Sequence, residues 1–256
     1  MTRRPDPNIA GGDAGLAPLY ACVLIGGQST RMGTPKHLLP VSRGTGILSA
    51  EGAIRRGEPV RPTGVPPVVP AQAGDYGRDA PATSVSKDSE PVPPSPITWV
   101  ERTVALLSPF AVRVVLSGAG EVPPSLAGMD RIPDALNVHG PMAGILACMR
   151  WAPHAAWLVA ACDLIRLDHD ALRWLVGCRR VEAWAVLPRL ECSPRVEPTL
   201  ACYEPPVGPL LAHLASAGQF HLAGLVGSAR TLCPTVPREL RHAWHNANTP
   251  DDLLRA

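Results

Sequence analysis

The chain has 256 residues, of which 46% are hydrophobic and 18% charged, which is enough apolar material for a substantial α/β core and too much for a disordered polymer. A formal net charge of +2 with scattered arginines argues against a nucleic-acid partner, and no run reaches the ~20 apolar residues of a membrane span. Seven cysteines occur singly, without Cys-x-x-Cys spacing or a histidine at zinc distance, and read as small buried hydrophobes in a reducing compartment.

Arg3-Arg4 ahead of the apolar stretch Leu16 to Ile25 imitates a twin-arginine export signal. Pro5, Asp6 and Asp13 interrupt it, the stretch is short, and it runs into a glycine loop that cleavage would remove. The expectation is a cytoplasmic protein with residues 1–18 as a flexible tail and one domain over 19–256.

Tyr20 to Ile25 is an apolar run that reads as a buried strand, and it empties into Leu24-Ile25-Gly26-Gly27-Gln28-Ser29-Thr30-Arg31-Met32-Gly33-Thr34-Pro35-Lys36. Adjacent glycines let backbone amides close on an anion without Cβ obstruction, and Arg31 and Lys36 add positive charge where a pyrophosphate would carry its negative charge. Two commoner phosphate loops are excluded by spacing. A Walker loop needs Lys directly after its second Gly, and the dinucleotide fingerprint needs Gly-x-Gly-x-x-Gly. The bland alternative is a strand-to-loop turn with surface cations.

Residues 41–96 hold ten prolines and one aromatic, Tyr76, with no sustained amphipathic period. This composition predicts an irregular, mobile insertion with a short helix near Ile47 to Arg56, because it buries too little apolar surface to offset its ordering entropy. A tolerated excursion and a lid over the glycine loop both fit.

Regular patterning resumes with a helix over Thr98 to Leu107 and a strand over Val112 to Leu116. A helix over Met142 to Trp151 then leads into the apolar strand Ala156 to Ala161, which ends at Cys162-Asp163. Downstream, a helix is predicted over Asp168 to Cys178, strands over Ala183 to Leu187 and Thr199 to Tyr203, and a helix over Pro209 to Ser216. Thr249 with Pro250 is placed to open a final helix. Strands alternating with helices predict a three-layer α/β fold with a mostly parallel sheet.

In such sheets, ligands gather at the carboxyl ends of the strands. Asp163, ending the strongest apolar strand, is a candidate Mg²⁺ ligand, since a carboxylate there is costly unless a hard cation compensates it. Capping the next helix is the structural alternative, and Asp168 suits that duty better. Asp134 either accepts hydrogen bonds from a nucleotide or fixes a turn after Pro133. Gly140-Pro141 opens a helix whose first amides are free to meet a ligand, and His139 reads as a solvated loop residue.

Taken in order, these motifs resemble the molybdenum cofactor guanylyltransferases, Rossmann-like nucleotidyltransferases that attach GMP to molybdopterin. The likeness rests on Leu24 to Lys36, Asp134 with Gly140 to Ile145, Cys162-Asp163, Glu197-Pro198-Thr199-Leu200-Ala201-Cys202-Tyr203 and Asn246-Ala247-Asn248-Thr249-Pro250-Asp251-Asp252-Leu253. It implies GTP and molybdopterin as substrates, Mg²⁺ as cofactor, and molybdoenzyme maturation proteins as possible partners. It also implies that Leu24, Ile25, Gly26, Gly27, Lys36, Asp134, Gly140 and Asp163 bind nucleotide, that Asp163 binds the metal, and that Arg31, Lys36 and Asp163 are catalytic. Two departures stand out: Ile25 replaces the usual Ala, and Ser117-Gly118-Ala119 lacks the Asn of the family's Ser-x-Asn. A molybdopterin cytidylyltransferase, a sugar-phosphate nucleotidyltransferase and a non-catalytic GTP-binding maturation partner are the alternatives.

Overall fold

In the computed structural model, residues 15–26, 38–41, 96–191 and 193–247 are described, and all of them fall in one compact unit. Residues 42–95 of the expected insertion, the helix near Ile47 to Arg56 and the helix after Thr249 lie outside the described residues.

The described chain runs through β1 (Leu19–Leu24), α1 (Trp99–Leu107), β2 (Arg113–Ser117), β3 (Arg131–Ile132), α2 (Pro141–Trp151), β4 (Ala156–Ala161), α3 (His169–Gly177), β5 (Ala185–Val186), β6 (Leu200–Tyr203), α4 (Val207–Ser216) and β7 (Thr231–Leu232). The strands form one sheet in the order β3-β2-β1-β4-β6-β5-β7. All neighbours are parallel except at β6, which runs antiparallel to both β4 and β5.

Alternation along the strands divides the core into two faces. Ala21, Val23, Leu158, Ala160 and Leu200 pack with Val100, Val104 and Leu107 of α1 and with Leu172 and Leu175 of α3. Tyr20, Cys22, Trp157, Val159 and Ala201 pack with Met142, Ile145 and Leu146 of α2 and with Val207 and Leu211 of α4. Among the described residues, no helix is long and apolar enough to cross a membrane.

Helix starts follow local chemistry. Thr98 and Glu101 form a reciprocal capping box on α1, with the Thr98 N–H donating to Glu101 Oε2 at 2.7 Å. Asp168 caps α3, its Oδ1 accepting from the Ala171 amide at 2.9 Å. The strand expected over Ala183 to Leu187 contracts to Ala185–Val186, flanked by Trp184 and Leu187 amides that donate to Arg230 and Leu232. Residues 15–18, expected in the tail, are in part tied down: Ala17 O accepts from Arg179 Nη2 at 2.9 Å and Pro18 O from the Ala156 amide at 3.0 Å.

Candidate active site

The chain passes from β1 to its neighbour β2 on one side, and later places β4 on the other side of β1. That reversal makes the carboxyl ends of β1 and β4 a topological switch point, where open α/β sheets leave a crevice. The glycine loop departs from one lip, after Leu24, and Asp163 follows the other, after Ala161. Leu24 and Ala161 are register partners, and the Cys162 amide donates to Leu24 O at 3.4 Å across the gap.

The neighbouring strand ends close the same corner. The Ile25 amide donates to Ser117 O at 2.8 Å, Gly118 donates to Ile132 O at 3.1 Å, and Gly120 donates back to Ile25 O at 3.2 Å. Gly118 has φ +116°, and a Cβ there would stand 2.3 Å from Ile25 O. Only glycine therefore lets the turn after β2 lie directly on the start of the glycine loop.

Gly144, in α2, has the same kind of tight surroundings from the opposite side. A Cβ on it would meet Leu24 Cδ2 and Ser117 Oγ at 2.8 Å and Asp134 Oδ1 at 3.4 Å. One missing methyl group thus lets the ends of β1, β2 and β3 converge on a helix. Asp134 follows β3, and partial desolvation pushes its carboxyl above the ordinary range. Its loop is fixed by the Ala135 amide on Ala143 O at 3.1 Å and ends at Gly140, the N-cap of α2. His139 is exposed at this rim, its ring edge-on to Phe220 with centroids 5.1 Å apart.

Asp163 is half-buried in the turn between β4 and α3, and capping of α3 falls to Asp168 instead. Its backbone oxygen accepts from the Ile165 and Ala247 amides, both at 3.0 Å. Ile165 and Ala247 pack with Trp99 in a small apolar cluster that also receives Leu39 and Val41, the residues following the glycine loop. Of the residues singled out from sequence, Leu24, Ile25, Gly26, Asp134, Gly140 and Asp163 lie along one edge of the sheet, whereas Gly27, Arg31 and Lys36 lie outside the described residues. Gly144, inside the Gly140 to Ile145 motif, and Ser117 and Gly118, in the stretch where Ala119 replaces the family's Asn, pack into the same corner. The close approach of Gly118 to Ile25 O and of Gly144 to Leu24 had no local signature in the sequence.

Residues 92–230 match the family model described as a MobA-like NTP transferase domain, which spans the Asp134, Gly140 and Asp163 motifs. The chain belongs to this family. It is 31% identical over 170 residues to the molybdenum cofactor guanylyltransferase of Cereibacter sphaeroides, covering 62% of this chain and 80% of that one. A probable molybdenum cofactor guanylyltransferase of Pelotomaculum thermopropionicum is 26% identical over 163 residues, 61% of this chain and 78% of that one. Among solved structures, molybdopterin-guanine dinucleotide biosynthesis protein A of Archaeoglobus fulgidus superposes with a TM-score of 0.59 at 19% identity, covering 92% of this chain and 95% of that one. At that identity the structural likeness establishes the MobA-like fold, a Rossmann-like nucleotidyltransferase architecture.

Proposed function

We propose that this chain transfers GMP from GTP to the phosphate of molybdopterin, releasing pyrophosphate. The observation that carries the reading is the pairing of β1 and β4 at the switch point, which sets the start of the glycine loop beside the Cys162-Asp163 turn. The guanylyltransferase relatives supply the substrate class.

Asp163 suits a magnesium ion by its chemistry. It is one half-buried carboxylate at a strand end, and among the described residues no group of three His, Cys, Asp or Glu side chains forms a complete cage. Magnesium is commonly held by one or two carboxylates together with substrate phosphates. When bound, it would offset phosphate charge and favour alignment of the attacking and leaving oxygens.

The rest of the chemistry falls to the chain's own residues. Arg31 and Lys36 stabilise charge on the departing pyrophosphate. Lys36 stands two residues before Leu38, and the segment Leu38 to Val41 returns beside Ile165, close to Asp163 in sequence and packing. Asp134 accepts hydrogen bonds from ribose or base, and at the start of α2, where Pro141 has no N–H and the Ala143 amide donates to Gly140 O at 3.0 Å, the Met142 amide meets the nucleotide. A bond forms between an oxygen of the molybdopterin phosphate and the α-phosphorus of GTP as the bond to the β-phosphate oxygen breaks. No general base is required, because the attacking phosphate is already ionised near neutral pH.

Ala119, standing where the guanylyl family carries Asn, bears on base specificity, and the second reading is a cytidylyltransferase. Pyrophosphate release measured with molybdopterin, Mg²⁺ and each of the four nucleoside triphosphates tests both. A preference for GTP is expected. A preference for CTP would favour the second reading, and GTP binding without pyrophosphate release would leave only a non-catalytic partner.

A further inference from the structure

Asp163 is followed by a short turn, residues 163–168, that reaches α3, and one distant segment holds both of its ends. At the start, the Ala247 amide donates to Asp163 O at 3.0 Å, and Asn246 forms an antiparallel bridge with Leu164. At the far end, His242 Nε2 lies 2.6 Å from Asp168 Oδ2. The two grips come from residues only five apart, on the segment Arg238–Trp244 and its continuation to Ala247.

The grip at Asp168 is shared. Its Oδ1 caps α3 through Ala171, while Arg102 from α1 donates Nη2 to Leu167 O at 2.7 Å. Burial pushes the Asp168 carboxyl up, but the Ala171 amide and the His242 ring outweigh it and hold the group below its ordinary range. The carboxylate is therefore present to receive His242. Between the two grips, Trp244 is buried, stands edge-on to Trp174 of α3 with centroids 5.6 Å apart, and donates Nε1 to Leu200 O at 3.3 Å. Ala247 completes the attachment by packing on Ile165 and Trp99.

We infer that residues 238–247 are a strap that sets the position of Asp163, and that His242 is its latch, a positioning residue that never touches substrate. The physical case is that a six-residue turn clamped at both ends by one element has little freedom to re-aim its first carboxylate. Freeing one end loosens the other through the shared strap. Partners that orient a metal-binding side chain from behind are worth about 10–100-fold in metal affinity, so release of the latch is expected at the lower end of that range. The link to metal rests on Asp163 being the magnesium ligand of the proposed reaction.

The test compares His242→Ala with His242→Gln in the full chain, since Gln returns an N–H near the position of Nε2. Amide hydrogen exchange is read at Ala247 and Ile165, both donors to Asp163 O, against Val159 in the core. Mn²⁺ binding in the presence of GTP is read by electron paramagnetic resonance, and kcat and KM for GTP are measured alongside. For His242→Ala the expected result is faster exchange at Ala247 with Val159 unchanged, Mn²⁺ affinity lowered about 10-fold, and kcat reduced with KM for GTP nearly constant. His242→Gln should restore all three.

Unchanged exchange at Ala247 would overturn the latch whatever the activity, and faster exchange with unaltered Mn²⁺ affinity would overturn its role toward Asp163. A wild-type protein that binds neither GTP nor Mn²⁺ would instead defeat the proposed function, while the exchange measurement would still decide the latch. If His242→Ala fails to fold, Trp244→Phe, which keeps the ring packing and removes the bond to Leu200 O, is carried through the same measurements with the same expectations.

Discussion

Gly118 and the carbonyl of Ile25 meet so closely that a Cβ on the glycine would stand 2.3 Å from the oxygen. The obstacle is backbone, which cannot rotate aside, and φ +116° is itself unfavourable for any L side chain. Gly118→Ala is expected to lower stability by roughly 1–3 kcal/mol and to raise KM for GTP, because the displaced group is the first peptide of the glycine loop. Urea unfolding and steady-state kinetics check the two effects separately.

Gly144→Ala should separate stability from function. The new methyl group meets Leu24 Cδ2 and Ser117 Oγ at 2.8 Å, both side-chain ends, while Asp134 Oδ1 lies at 3.4 Å. Strain of roughly 1–3 kcal/mol is opposed by about 1 kcal/mol of helix propensity. A small net loss in stability is expected, accompanied by a clear rise in KM for GTP as Leu24, Ser117 and Asp134 yield. A large loss of stability with unaltered KM would contradict the placing of these residues at the nucleotide site.

Arg179 and Glu204 form an ion pair at 2.6 Å with side chains only 6% and 5% exposed, and the same guanidinium donates to Ala17 O ahead of β1. Removing one partner leaves the other charge buried, which typically costs about 3–5 kcal/mol. Glu204→Gln is expected at the lower end, since its amide still offers an oxygen to Arg179. Arg179→Met should be worse than Glu204→Gln, and the pair Arg179→Met/Glu204→Leu should recover much of the loss. A double-mutant cycle by urea unfolding measures this directly.

The carboxyls divide into two groups with opposite pH signatures. For Asp168, and for Glu101 on α1, burial pushes upward, but hydrogen bonds outweigh it: the Ala171 amide and His242 on Asp168, the Ser125 and Thr98 hydroxyls and the Thr98 amide on Glu101. With folded values below unfolded ones, their stabilisation is complete above the ordinary carboxylate range and is lost as pH falls through the folded values. Desolvation raises Asp134 and Glu197 instead, so their ionised forms oppose folding at neutral pH and the opposition fades as they protonate. Asp134→Asn is therefore expected to raise Tm at pH 7 and to lose that advantage as pH falls, while weakening GTP binding. Thermal unfolding across pH 3 to 8 distinguishes the two groups.

Charge removal at the proposed catalytic residues has the largest expected effect. Lys36→Ala should slow pyrophosphate release by roughly 10²-fold or more, as loss of a donor to a developing anion commonly does. Asp163→Asn should raise the magnesium requirement as well as slow turnover. Wild-type rates in both variants would remove these residues from the mechanism.

The elements read most accurately were those whose signals are local. Ala156–Ala161 is the strand expected from its continuous apolar run, and α1 begins where Thr98 and Glu101 can cap each other. Asp168 capped α3 in preference to Asp163, as its position ahead of the amphipathic run suggested. Arg131–Ile132 and Thr231–Leu232 escaped notice because two residues carry no period, and these strands exist only through the neighbours that pair with them. The contact between His242 and Asp168 joins residues 74 apart and had no local signature at all.

By itself the chain of residues determined the α/β alternation, the helix caps and the order of the glycine, Asp134 and Asp163 motifs, because hydrophobic period and capping chemistry act over a few neighbouring residues. Only the tertiary structure decided that Leu24, Ser117, Asp134 and Gly144 share one corner and that a strap from residues 238–247 grips the turn carrying Asp163. Those approaches depend on strand order and on which face each helix covers, and both are settled by packing the whole sheet.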